Sequence, residues 1–191
     1  MTHHILHAQG MVGLLCITAA LIALSGCAAR QGPRHPFTKW GVRVLGAVAA
    51  FTLHEGCHLT LGAVLGGNVN VRSPGVEFDL RFSNLSDPEH RAVAIAGNAC
   101  TGIAAEIILW TDLQEHSDLA WGMVLFHAMN AWGYAFQDGG DRKHWESAGG
   151  NVTTWQVLHA SHGALVAARL VYSEERNAPS PPPPTKETSG E

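Results

Sequence analysis

Residues 54 to 58 read His-Glu-Gly-Cys-His, a spacing suited to metal chemistry. On a helix, positions i and i+4 share one face a turn apart, so His54 and His58 can ligate a single zinc ion. Glu55, about 100° around the same helix, can reach a water beside that ion as general base. Zinc lowers the pKa of such a water toward neutrality, and the carboxylate takes its proton as it attacks a carbonyl. The blander alternative is a pair of helix-face histidines hydrogen-bonded to neighbouring helices. The surroundings weigh against it: "FTLHEGCHLTLGAVLGG" (51–67) is otherwise apolar. Ionisable groups at membrane depth are costly enough to mark functional sites.

A catalytic zinc ion needs a third protein ligand and an open fourth position. The preferred candidate is Asp138 in "NAWGYAFQDGGD", where the glycines after it let the backbone turn closely back toward the metal. Asp141, with His144 following in "DRKH", and Glu106 in "GIAAEIILW" are its rivals. His127, one turn before Asn130, reads as a packed, hydrogen-bonded histidine. His159 and His162 could hold a metal at i, i+3 spacing, but an interfacial helix accounts for them better. Cys57 is expected to pack as a small apolar residue. Gly62 and Gly66 form a small-xxx-small pair suited to close helix packing.

These residues need elements to position them. Apolar stretches at 11–29, 40–65, 92–111 and 117–136 each approach the roughly 20 residues that a hydrocarbon core requires. Between the second and third, "VNVRS" and "VEFDLRF" alternate apolar and polar residues around "SPG", which predicts a β-hairpin at about 67–85. Segment 152–172 is amphipathic, with Trp155, Leu158, His159, His162, Leu165, Val166 and Leu170 on one stripe. It reads as a last span or an interfacial helix. The expected architecture is an all-α multi-pass membrane bundle of about 4–5 helices with a small β-hairpin insertion. Its parts are a signal or first transmembrane segment at 1–29, a linker at 30–39, the membrane domain at 40–172 and a disordered Pro-rich tail at 173–191. Within the first part, "LSGC" (24–27) resembles a bacterial lipoprotein signal box, which implies a lipid anchor at Cys27.

Composition narrows the function classes. A net charge of −4 with no basic block argues against nucleic acid as a partner. The 4 cysteines lack CxxC spacing, so neither a disulfide framework nor a zinc ribbon is expected.

Taken together, the motifs resemble the site-2-protease family of intramembrane zinc metalloproteases. That pattern runs from an HExxH membrane helix through a β-hairpin and a G-P-x-x-N-like helix start to N-x-x-P-x-x-x-x-D-G. Here it appears as "HEGCH" (54–58), the hairpin candidate, "AGNACTG" (96–102) and "NAWGYAFQDG" (130–139). The resemblance implies His54, His58 and Asp138 as zinc ligands and Glu55 as base. It implies Asn130 as a polar group that holds the substrate backbone or steadies the charged intermediate; the residue's own alternative is an interhelical hydrogen bond. Gly133 and Asn98 stand where the family has proline, and Thr101 where it has asparagine.

The expected activity is zinc-dependent endopeptidase cleavage of membrane-protein or membrane-adjacent peptides within a lipid bilayer, in a bacterial-type cytoplasmic membrane. The rival is a catalytically inactive, metal- or substrate-binding membrane protein on the same scaffold. Orientation is contested within the sequence. The family's arrangement puts Arg30, Arg34, Lys39 and Arg43 outside, against the positive-inside tendency.

Overall fold

The computed structural model describes residues 35–72 and 79–176. The signal-like segment 1–29 with its lipobox, the "SPG" between the strands and the end of the tail lie outside these residues. Four long helices make up most of the rest: α1 (Pro36–Val64), α2 (Asp87–Trp110), α4 (Asp118–Phe136) and α6 (Val152–Arg176). Strands β1 (Asn68–Arg72) and β2 (Asp79–Ser83) follow α1, and short helices α3 (Leu113–His116) and α5 (Gly140–Ser147) follow α2 and α4. The long helices run up, down, up, down. α1 lies against α2 and α4, and α4 also carries α6.

Local chemistry sets the element ends. Pro36 opens α1, where a missing N–H costs nothing, and the ring of His35 accepts from the Phe37 amide. Residues Pro36–Lys39 of the expected linker are therefore helical. Gly66, at φ +84°, ends α1 in the left-handed conformation, so it closes the helix and does not pack against a neighbouring one. Its expected partner Gly62 lies under the ring of Phe82 from β2. The two strands pair antiparallel, Asn68 opposite Ser83 and Val71 opposite Leu80, as the alternation between 67 and 85 implied. Ser86 and Glu89 form a capping box on α2, the carboxylate accepting from the Ser86 amide at 2.7 Å. At the other end of the chain α6 continues to Arg176, so 173–176 belong to the helix, not the tail.

The interior is built from small residues and polar groups. Gly46 and Gly122 bring the α1 and α4 backbones into contact. A side chain on Gly46 would collide with the Leu119 carbonyl, and one on Gly122 with that of Arg43. Arg43 is itself buried, 3.1 Å from Asp118 and 2.8 Å from Glu174, its guanidinium 3.6 Å above the Trp121 ring. It ties α1, α4 and α6 together at the end of the bundle remote from the strands. Ala105, Ile108, Leu109, Ala120, Val124 and Val166 fill the space beside it.

The outer faces are apolar. Val44, Leu45, Val48 and Phe51 of α1, Ile103 and Ile107 of α2, Met129 and Trp132 of α4, and Leu158 and Leu165 of α6 all point outward. Leu158 and Leu165 thus leave the stripe expected for this segment, whose buried line is Trp155, His159, Gly163, Val166 and Leu170. Among the described residues two helices, Pro36–Val64 and Asp87–Trp110, are long and apolar enough to cross a membrane. α4, also expected to span, is not one of them: its 19 residues carry Asp118, His127 and Asn130.

One covalent link was not foreseen. Cys57 and Cys100 form a disulfide between α1 and α2, with Cα atoms 6.5 Å apart. Cys57 is therefore not the free packing thiol expected. No sequence spacing announces a bond that depends on where two helices cross.

Candidate metal centre

His54 and His58 lie on the inner face of α1, 1% and 4% exposed. Their Nε2 atoms stand 3.1 Å apart, as i, i+4 spacing allows when both rings lean the same way. Room for them comes from α2. Gly97 faces the two rings so closely that any Cβ would strike both. His58 Nδ1 donates to the Val93 carbonyl at 2.6 Å, which turns Nε2 inward. The ring of Tyr134 lies parallel to that of His54, centroids 6.0 Å apart.

The third group is Asp141. Its Oδ2 lies 3.1 Å from His54 Nε2 and 3.2 Å from His58 Nε2. The DGG turn achieves this in a way the sequence reading placed one helix too early. Gly140 takes φ +53°, with no room for a side chain beside the Tyr134 ring, and α5 begins there. Asp141 falls in the first turn of that helix, where an acidic side chain is favoured and points back at α1. Asp138 precedes the turn and is exposed to solvent. The expected aspartate is thus replaced in the cluster by its rival three residues on. Burial alone would raise the Asp141 pKa. The hydrogen bonds and charges of His54 and His58 outweigh it and hold the carboxyl below the usual range.

These three are the one metal-capable cluster among the described residues. The donor set fits zinc: two imidazole nitrogens and a carboxylate oxygen, with edges of 3.1, 3.1 and 3.2 Å. Ligand atoms of a tetrahedral zinc ion bonded at about 2.0–2.2 Å stand roughly 3.3–3.6 Å apart, so a shift of a few tenths of an ångström suffices. A cavity of about 200 Å³ opens beside the cluster. Glu55, His58 and Asp141 line it, with Leu80 and Phe82 of β2 and Tyr134 across from them. The base candidate therefore shares its space with the ligands.

Other expected residues fall elsewhere. Asn130 is behind His54, its amide 3.5 Å from Nδ1, the ring nitrogen turned away from Asp141. It does not line the cavity. Glu106 is held by Arg169 at 2.5 Å and His162 at 3.3 Å, in a separate groove of about 830 Å³ between α2 and α6. It is no partner of His54. His127 bridges Thr101 and His162 at 3.0 Å each, and His159 stacks on Trp155. Sequence reasoning overlooked Val93, whose contribution is a backbone carbonyl, and Tyr134, which carried no motif signal; Gly97 stood in the motif as the glycine of "AGNACTG" but was assigned no role. Comparison with family models, curated proteins and solved structures finds no match to this chain.

Proposed function

We propose that the chain is a zinc-dependent endopeptidase acting on membrane-embedded or membrane-adjacent polypeptide. The observation that carries this reading is the convergence of His54, His58 and Asp141 within 3.2 Å, with Glu55 lining the adjoining cavity. When bound there, zinc supplies Lewis acidity that polarises a carbonyl and acidifies a water. Glu55, which lines the same cavity, would accept the proton of that water and return it to the leaving amine. Tyr134 and Phe82 form part of the cavity wall beside Glu55. β2 offers a substrate its edge: a locally extended segment added to Asp79–Ser83 runs past Leu80 and Phe82, which line the cavity.

A membrane setting is supported by the apolar outer faces of the bundle around a partly polar interior. Arg43, His54, His58, Asn98, Thr101 and His127 are buried, while Val44, Leu45, Val48, Ile103, Ile107 and Trp132 face outward. In water that arrangement exposes large apolar bands. In a bilayer the same bands are solvated by lipid and the polar groups face one another inside the bundle. The likeness to site-2 proteases rests on HExxH and the strand pair. It departs from that pattern at the third ligand, where Asp141 takes the place of the DG aspartate.

That departure favours one second reading, a metal-retaining scaffold without catalysis. Glu55→Gln separates the two. The variant is expected to keep its zinc and lose at least about 100-fold of peptide-bond cleavage, in line with loss of a general base. Equal cleavage of an unfolded, membrane-inserted peptide by wild type and variant would overturn the enzyme reading.

A further inference from the structure

The two histidines of the centre are held from behind by different means. His58 Nδ1 lies 2.6 Å from the Val93 carbonyl, which only accepts, so the proton is on Nδ1 and Nε2 keeps its lone pair. Behind His54 there is a side-chain amide instead, that of Asn130, at 3.5 Å. An amide offers an oxygen on one side and an NH₂ on the other. Only the oxygen is compatible with a His54 that ligates through Nε2, because ligation then requires the proton on Nδ1.

Asn130 lies in turn 3.1 Å from the side chain of Asn98, which is 4% exposed. For that contact to be a hydrogen bond, one amide must present oxygen and the other NH₂. As the side chains stand, Asn130 donates to Asn98 Oδ1, and Nδ2 of Asn98 is buried with no partner. An orphaned buried donor loses its hydrogen bond to water and gains nothing in return. Turning both amides over keeps the 3.1 Å contact, gives the Asn98 NH₂ an acceptor and aims the Asn130 oxygen at His54. The Asn98 oxygen then takes the unpaired position, which acceptors tolerate better than donors.

Resting on the metal reading above, we infer that Asn98 and Asn130 are positioning residues. They form a two-amide relay that fixes the proton of His54 on Nδ1 and so presents Nε2 to the ion. Asn98 on α2 donates to Asn130 on α4, and Asn130 accepts from the ring on α1. Neither amide lines the cavity beside Glu55, so the relay acts through the histidine and not on a substrate.

The test is the same isosteric change at both positions, read as zinc affinity of the full chain by chelator competition and as cobalt absorption. Asn130→Asp supplies an acceptor only, which the relay wants there, and is expected to hold zinc within about threefold of wild type. Asn98→Asp sets two acceptors face to face and is expected to lose about 10–100-fold, as for other outer-shell partners of a metal-bound histidine. Both changes add the same charge at neighbouring positions, so electrostatics alone moves them in one direction. If Asn98→Asp does not accumulate, Asn98→Leu removes the donor without charge and is expected to lose about tenfold. Similar losses at both positions, or a loss only at Asn130→Asp, would overturn the relay while leaving the metal centre intact. A wild-type chain that binds neither zinc nor cobalt would overturn the metal reading, and the relay with it.

Discussion

His54 Nε2 and Asp141 Oδ2 lie 3.1 Å apart although 87 residues separate them. One sits on the longest helix of the bundle and the other in the first turn of an eight-residue helix. Because α5 starts at a glycine with positive φ, the carboxylate is aimed by backbone geometry. Its position is therefore fixed before any ion arrives, which limits the reorganisation that binding demands.

Gly97 should be as important to the centre as its ligands. A methyl group there meets both imidazoles, so Gly97→Ala must push the rings apart or part α1 from α2. The expected effect is a stability loss of about 1–3 kcal/mol with zinc affinity reduced at least tenfold. Thermal unfolding and chelator competition on the same preparation read the two together.

Cys57 and Cys100 should be protected from alkylation until the protein is reduced. Their bond closes a loop with a sequence separation of 43 between the motif helix and α2. Replacing both by serine is expected to lower stability by about 2–4 kcal/mol. Mass spectrometry after alkylation, with and without reductant, checks the bond itself.

Zinc retention should fall on acidification, because protons compete with the ion for the two imidazoles. Imidazole binds only when unprotonated, so affinity falls as the pH is lowered through the mildly acidic range. The Asp141 pKa is held low, so its carboxylate stays ionised through that range and adds no release step of its own. A zinc-indicator titration is expected to show affinity that weakens as acid is added, with a slope that approaches two protons per ion. An affinity independent of pH would contradict ligation by the two histidines.

Val48 and Ile103 test the membrane setting. They are 54% and 63% exposed, so aspartate at either site is nearly neutral for a bundle in water. Within a bilayer the same change costs about 2.5–3.5 kcal/mol of insertion free energy at a helix centre. Both variants are expected to reduce the membrane-inserted fraction of the full chain in a carbonate-extraction assay.

Much of the positioning framework was legible in the residues. Apolar runs of spanning length, the amphipathic stripe at 152–172 and the alternation between 67 and 85 pointed to the long helices and the strand pair, because length and periodicity follow directly from backbone geometry. His54, Glu55 and His58 were legible for the same reason, since they share one helix. What failed to show was everything that depends on how helices meet. Asp141 and Asp138 flank the same two glycines, and the left-handed turn at Gly140 chooses between them. The Cys57–Cys100 bond and the Gly97 contact exist only where α1 crosses α2. Asn98 appeared in the sequence as a missing proline, whereas in three dimensions it is a buried amide behind a ligand.

The most direct measurement is zinc per chain in purified wild type, Asp138→Ala and Asp141→Ala. Wild type and Asp138→Ala are expected to carry about one ion each, and Asp141→Ala to weaken binding more than about 100-fold, beyond the range of outer-shell partners. Zinc retained in Asp141→Ala and lost from Asp138→Ala would contradict the assignment, and a wild type without zinc would contradict the metal centre altogether.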